Sequence, residues 1–156
     1  MAMLRAMFGM LVLAGLMLAA GSASAGTLRP LGKSDLCLTA EPTNQPGYKL
    51  SLKACANSEF QEFRKGQANV LIVAKACVEI IAVDSTRQNL IAAATQCRGL
   101  PGQSWTLSRA GLLVGANRLC LVPRGEPVDG GPIAVEQCAE DNAAALDQKW
   151  AVYGRL

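Results

Sequence analysis

The sequence contains no histidine, and this absence excludes several kinds of chemistry. Histidine is the usual general base and the commonest metal ligand, so Ser-His-Asp and Cys-His catalytic arrangements are ruled out. Neither G-x-G-x-x-G nor a P-loop motif is present. Acidic residues exist, but nothing in the sequence places two of them about 5–10 Å apart, as glycoside hydrolysis requires. The sequence therefore predicts a protein that is not an enzyme and uses no cofactor or metal.

Long hydrophobic runs are also missing, apart from one at the N-terminus. Arg5 precedes an almost wholly apolar stretch from Met7 to Ala20, and Ala23-Ser24-Ala25 then fits an A-x-A cleavage site. The run is shorter than the roughly 18 apolar residues that a membrane-spanning helix needs. Residues 1–25 are therefore predicted to be a secretory signal peptide. Residues 26–156 form one domain without a membrane span, secreted or periplasmic.

A strong charge of either sign is absent from the predicted domain. Outside the leader, 14 Lys and Arg stand against 12 Asp and Glu, and the signs are interspersed. A nucleic-acid-binding protein normally has a basic patch or stripe. Nucleic acid is therefore not expected as a partner.

All six cysteines lie in the predicted domain, and an even number in an exported chain indicates disulfides. Sequence alone leaves the pairing of six cysteines open. The spacing favours three local bridges between residues 18 to 20 apart, Cys37 with Cys55, Cys77 with Cys97, and Cys120 with Cys138. Each such bridge would contribute about 3 kcal/mol in the chain-entropy model.

The cysteines and a Gln-x-aromatic element recur with one period. First cysteines follow one another after 40 and 43 residues, and second cysteines after 42 and 41. The Gln-x-aromatic element recurs after 42 and 45 residues, as Gln61 with Phe63, Gln103 with Trp105, and Gln148 with Trp150. A shared period of this size indicates a repeat architecture. Three units are predicted at about 27–65, 66–108 and 109–153, and are called units one, two and three below.

Each unit has the pattern of a β-structure with about four strands. An apolar strand surrounds the first cysteine, a loop rich in turn residues follows, and an alternating strand leads to the second cysteine. The inward positions of that second strand are predicted in pairs, Leu50 with Leu52, Ala92 with Ala94, and Ile133 with Val135. A single helical turn, capped by Asp141 or Asn142, is expected before the last strand.

This combination of cysteines, glycine-bearing loop, alternating strand and Gln-x-Trp resembles the ricin-B-type (R-type) lectin domain over residues 27–153. The resemblance implies an all-β fold, a β-trefoil of three pseudo-repeats with a disulfide inside each. It also implies that Phe63, Trp105 and Trp150 fill the core near the threefold axis, while the glutamines bond to loop backbone. The sequence departs from the family at Phe63, which replaces Trp, and at Asn89, where the other units have a loop glycine.

The resemblance also implies where a sugar would bind in each unit. Family pockets use a carboxylate two residues after the first cysteine, an aromatic ring two residues before the second, and an Asn just before Gln-x-Trp. In chain order, those positions hold Thr39, Lys53 and Phe60 in unit one, Glu79, Thr95 and Gly102 in unit two, and Val122, Glu136 and Asp147 in unit three. No unit retains the full set.

Three residues remain as candidates for ligand binding, Glu79, Gln103 and Tyr48. Glu79 is the one carboxylate at a family position, although a solvated surface glutamate is the favoured interpretation. Tyr48 follows Gly47 in the loop of unit one, where it either turns outward as a displaced stacking surface or packs on the neighbouring strand.

The resemblance favours a non-catalytic binding module with weak or displaced carbohydrate binding. The alternative is a protein-interaction module that has lost sugar binding, such as the cell-binding subunit of a multi-part toxin. A trefoil-type protease inhibitor, with residues 124–132 as its reactive loop, ranks last. The expected partner is thus a glycan or a protein.

Peptide mass mapping of the unreduced protein tests the repeat. We expect Cys37 to be linked to Cys55, because the three similar spacings favour closure within each unit. A bond from Cys37 to any other cysteine would contradict both the pairing and the threefold architecture.

Overall fold

The computed structural model describes residues 25–86, 89–139 and 143–156, so the predicted leader lies outside the described residues except for Ala25. The described residues form twelve strands. These are β1 Gly26–Pro30, β2 Leu36–Pro42, β3 Tyr48–Ala54, β4 Phe63–Lys65, β5 Leu71–Val73, β6 Ala76–Ala82, β7 Leu90–Thr95, β8 Thr106–Leu107, β9 Leu113–Val114, β10 Leu119–Pro123, β11 Ile133–Gln137 and β12 Trp150–Gly154. Each unit contributes four of them, and the predicted all-β architecture is confirmed.

Short 3-10 helices connect some of the strands, at Gln67–Asn69, Pro101–Gln103, Ala116–Arg118 and Ala143–Gln148. The last of these is the turn expected before the final strand, although its predicted caps, Asp141 and Asn142, lie outside the described residues. No helix in the described ranges has the length and apolarity needed to cross a membrane.

Six strands close into a barrel. Antiparallel pairing joins β12 to β1, β1 to β4, β4 to β5 and β8 to β9. Isolated bridges complete the circle, because Val70 pairs with Ser104 between β5 and β8, and Leu112 pairs with Lys149 between β9 and β12. Closure removes the exposed strand edges that an open sheet would present.

Three hairpins, one from each unit, meet at one end of this barrel. They are β2–β3, β6–β7 and β10–β11. Strand β3 lies at their junction, because Tyr48 and Lys49 pair with β7 while Ser51 bridges to Pro132 beside β11. Side chains near the ends of these hairpins therefore come close to residues of a different unit.

The three repeated aromatic rings lie inside one hydrophobic core. Phe63 is 0% exposed, Trp105 2% and Trp150 3%. Each indole N–H donates to a backbone carbonyl one residue beyond a first cysteine, Trp105 to Val78 at 2.8 Å and Trp150 to Leu121 at 2.7 Å. The rings are therefore core residues and are not available as surfaces for a ligand.

The predicted inward positions are right in two units and partly wrong in the third. Leu50, Leu52, Ala92 and Ala94 are all buried. In unit three, Ile133 and Val135 pack against the main core but are only partly buried. Ala134 is the buried residue of β11, because it packs in a second small cluster with Cys120 and Val122.

The three disulfides lie within the units and join Cys37 to Cys55, Cys77 to Cys97, and Cys120 to Cys138. The glutamine of each Gln-x-aromatic element bonds the backbone on both sides of the second cysteine. The glutamine Oε1 accepts from the backbone N–H of the residue directly after that cysteine, namely Ala56 (2.6 Å), Arg98 (2.8 Å) and Ala139 (2.8 Å). The glutamine Nε2 donates to the backbone carbonyl of the residue directly before it, namely Ala54 (3.0 Å), Gln96 (2.8 Å) and Gln137 (3.3 Å).

Replacing Phe63 by Ala should lower the free energy of unfolding by about 3–5 kcal/mol, because a fully buried ring is lost and a cavity is left. Denaturant unfolding with the disulfides intact measures this change. Tyr153→Ala is the control, since that ring is 47% exposed and contacts the Arg29 guanidinium at 4.0 Å from the ring centroid. Equal losses in the two variants would contradict a core role for Phe63.

Candidate functional site

The family's carboxylate position is closed to a ligand in units one and three. In unit one, Thr39 is buried in β2, where its hydroxyl donates to the Cys37 carbonyl and accepts from Gln61 Nε2 at 2.9 Å. In unit three, Val122 is 2% exposed and packs in the small apolar cluster. Neither side chain can accept a hydrogen bond from a sugar hydroxyl in the way a carboxylate does.

Unit two keeps a carboxylate at this position, but other side chains already bond to it. Glu79 lies in β6 and is 8% exposed. Its oxygens accept hydrogen bonds from Thr95 Oγ1 at 2.6 Å and from Gln103 Nε2 at 3.0 Å. Arg98 Nη2 lies 3.0 and 3.1 Å from the two oxygens. The favoured interpretation of Glu79 as a solvated residue is therefore wrong, because strand β7 and the segment after Cys97 bring three donors onto the carboxylate.

These donors determine the charge state of Glu79. Burial by itself would raise the pKa of its carboxyl group. The hydrogen bonds from Thr95, Arg98 and Gln103, together with the positive charge of Arg98, outweigh that effect and hold the pKa below its ordinary value. Glu79 is thus ionised at neutral pH, and the half-exposed Arg98 side chain stands between it and solvent.

Gln103, the second candidate, lies in the same cluster and has no capacity left for a ligand. Its side chain is fully buried. Oε1 accepts from the backbone N–H groups of Arg98 and Gly99, and Nε2 donates to Glu79 and to the Gln96 carbonyl. The structure therefore brings Glu79 and Gln103 together, but as parts of one internal network.

A second polar group, which the sequence analysis missed, lies on the outer face of the unit-one hairpin. Glu41 accepts a hydrogen bond from Ser51, and its other oxygen lies 3.5 Å from Lys53 Nζ. The Ser51 hydrogen bond, the largest influence, lowers the pKa of Glu41, and it prevails together with Lys53 and Lys49 over the opposing effect of burial. Strand alternation could have indicated this group in the sequence. Residues 39 and 41 of β2 lie on the same face, so Glu41 is on the face that carries the family's carboxylate position.

Tyr48, the third candidate, lies apart from both polar groups. It is partly buried, packs against the main core, and contacts Phe60 with ring centroids 5.8 Å apart and planes inclined by 50°. It also lines a cleft of about 270 Å³ between the unit-one loop and β7. Tyr48 thus packs against the neighbouring core, and its ring also borders a surface opening. Its use as a stacking surface stays a prediction.

No cluster of His, Cys, Asp and Glu side chains in the described ranges is arranged to hold a metal ion. The described polar clusters are hydrogen-bond networks of carboxylate, hydroxyl, amide and basic groups.

The three-unit barrel with internal disulfides and Gln-x-aromatic elements defines a β-trefoil of the lectin type. The sequence model of the ricin-type β-trefoil lectin domain matches residues 24–150, and the chain belongs to this family. No curated protein sequence matches the chain.

Solved structures share the fold at low sequence identity. The β-trefoil lectin of the Vibrio vulnificus hemolysin/cytolysin, with N-acetyl-D-lactosamine bound, has 20% identity and a TM-score of 0.62, over 86% of this chain and 98% of that one. The C-half of an earthworm R-type lectin in complex with GalNAc has 13% identity and a TM-score of 0.64, over 85% and 99%. GalNAc-T7, solved with UDP, GalNAc and Mn²⁺, has 20% identity and a TM-score of 0.62 over 81% of this chain, which spans only 21% of that protein.

Glu79→Gln should lower the free energy of unfolding at neutral pH by about 1–3 kcal/mol, because it weakens three hydrogen bonds to a buried charge. The pKa of Glu79 is lower in the folded than in the unfolded state, so its contribution is present above the unfolded-state pKa and is lost as pH falls through the folded-state pKa. Unfolding measured across acidic pH should therefore show the difference between wild type and variant shrinking.

The matched control is Glu136→Gln, the same change at an exposed residue of β11. It should leave stability almost unchanged at every pH. A Glu79→Gln variant as stable as the control would overturn the structural role of the cluster.

Proposed function

We propose that this protein is an extracytoplasmic, non-catalytic carbohydrate-binding module. The observation that carries the proposal is the family match over residues 24–150, which spans all three units of the fold. The Vibrio vulnificus and earthworm structures, which were solved with sugars bound, support it by analogy of fold. A binding role without catalysis also agrees with a sequence that lacks histidine.

The proposal includes weak or displaced binding, because the family positions are occupied by this chain's own groups. Thr39 and Val122 offer no carboxylate, and Glu79 is bonded by Arg98, Thr95 and Gln103. A sugar at the unit-two position would have to displace the Arg98 guanidinium. The free energy of binding a sugar at this position would be less favourable by the free energy of the lost contact between Arg98 and Glu79.

The extracytoplasmic location is supported by the three disulfides and by the predicted leader. Disulfides persist in oxidising compartments, such as the periplasm or the extracellular space. A reduced cytoplasmic form would lose the cross-link of each unit.

A second candidate function is protein interaction after loss of sugar binding, as in a cell-binding subunit of a multi-part toxin. The exposed apolar side chains on the unit-two hairpin favour it, since Val83 is 57% and Ile91 is 41% exposed. Exposed apolar residues that lie close together can mark a protein interface.

A glycan array, probed with the oxidised protein, separates the two candidates. We expect retention on a subset of glycans with weak affinity. Reduction of the disulfides should abolish it, because each unit then loses its cross-link. No retention on any glycan, together with co-purification of a stoichiometric protein partner from the native source, would favour the second candidate.

A further inference from the structure

A cavity of about 470 Å³ lies between the hairpin of unit two and the beginning of β10 in unit three. The hairpin strands β6 and β7 and the 3-10 helix Pro101–Gln103 form its unit-two side, and Ala116 and Leu119 belong to its unit-three side. The volume is within the range of about 300–1,000 Å³ that is typical of small-molecule sites. The cavity is therefore large enough to hold a small organic compound.

This cavity is on the opposite side of the hairpin from the Glu79 network. Ala82 pairs with Leu90 across the hairpin, whereas Glu79 pairs with Ala93, and Ile80 follows Glu79 directly along β6. Because successive side chains of a strand point to opposite faces, residues 80, 82 and 90 face away from the Glu79 carboxylate. A ligand in the cavity would thus not use the family's carboxylate position.

Unit one carries two aromatic rings at positions that correspond to two lining residues of the cavity. Tyr48 and Leu90 each lie seven residues before the second cysteine of their unit, and Phe60 and Gly102 each lie five residues after it. The rings of Tyr48 and Phe60 are partly buried and contact each other, with centroids 5.8 Å apart. Unit two has a leucine and a glycine instead, and the cavity borders both.

The walls of the cavity are mostly apolar, and none of the lining residues is charged. Apart from Gly102 and Asn117, every lining side chain is aliphatic or a proline. Gly102 is at the family's Asn position, so the polar side chain that a sugar would meet there is missing. Asn117 has an amide, which can donate a hydrogen bond to a ring substituent or accept one from it. Apolar walls with a single polar group suit an uncharged ring.

We propose that this cavity, the Gly102 cavity, binds a small uncharged aromatic compound of one or two rings, in the space that corresponds to the rings of Tyr48 and Phe60 in unit one. The assignment goes beyond the proposed carbohydrate binding and does not depend on it. A sugar is poorly suited to the cavity, because most of its hydroxyl groups would lie against aliphatic walls without a hydrogen-bond partner. The ring pair of unit one is the observation that specifies an aromatic ligand.

The test uses the oxidised protein with 4-methylphenol and indole as probes. Saturation-transfer NMR detects binding, and titration of backbone amide shifts gives the affinity. Gly102→Phe should weaken binding about tenfold or more, because it fills the cavity with the ring that unit one has at this position. The backbone can accept this change, since the φ of Gly102 is not positive and an added Cβ would lie 3.4 Å from its nearest listed contact, the Ile80 carbonyl oxygen. Gly102→Ala fills less of the space and should weaken binding by less than about threefold.

The matched control is Val83→Phe, which adds a ring to the same hairpin outside the cavity lining, at a side chain that is 57% exposed. It should bind both probes like the wild type, and thermal unfolding should verify that each variant is folded. Leu90→Phe fills the cavity from its other side and should also weaken binding. The assignment is overturned if neither probe binds the wild type, or if both filling variants bind the probes as tightly as the control does.

Two further compounds test the class of the ligand. Methyl galactopyranoside should not displace 4-methylphenol, and displacement would make the cavity a sugar site and overturn the assignment. N-acetyltyrosinamide carries the same phenol ring on a peptide backbone and should bind no more tightly than 4-methylphenol. Tighter binding of N-acetyltyrosinamide would assign the cavity to a side chain of a protein partner, in contradiction to a free aromatic compound.

Discussion

In every unit, one glutamine amide bonds the backbone on both sides of the second cysteine, and the rest of the fold depends on this contact. The carbonyl and N–H groups that it satisfies flank the disulfide, and leaving a buried one unpaired would cost about 1–3 kcal/mol. The extended backbone of Ser104 points Gln103 and Trp105 to the same side, which explains the spacing of two residues. The Gln-x-aromatic element thus holds the end of a hairpin through its glutamine and places its aromatic ring in the core.

The same glutamine also contacts the family's carboxylate position in two units, because Gln61 donates to Thr39 and Gln103 donates to Glu79. Unit two shows what this means where the position keeps a carboxylate. The Gln103 amide that holds the Arg98 backbone also donates to Glu79, and the Arg98 side chain turns back onto the same carboxylate. A buried carboxylate is unfavourable without partners. Glu79 has three internal donors and is part of the structural network.

The sequence was sufficient for the architecture because its three markers, the two cysteines and Gln-x-aromatic, each perform a local task once per unit. It was insufficient where side chains meet across the fold. The interpretation of Glu79 as a solvated residue was wrong because Arg98, 19 residues away in sequence, reaches its carboxylate only after the hairpin closes. Glu41 was overlooked since its partners Ser51 and Lys53 lie on the opposite strand. Alternation alone also could not reveal that Ala134 is buried more deeply than Ile133 and Val135, because the Cys120 cluster lies on the other face of β11.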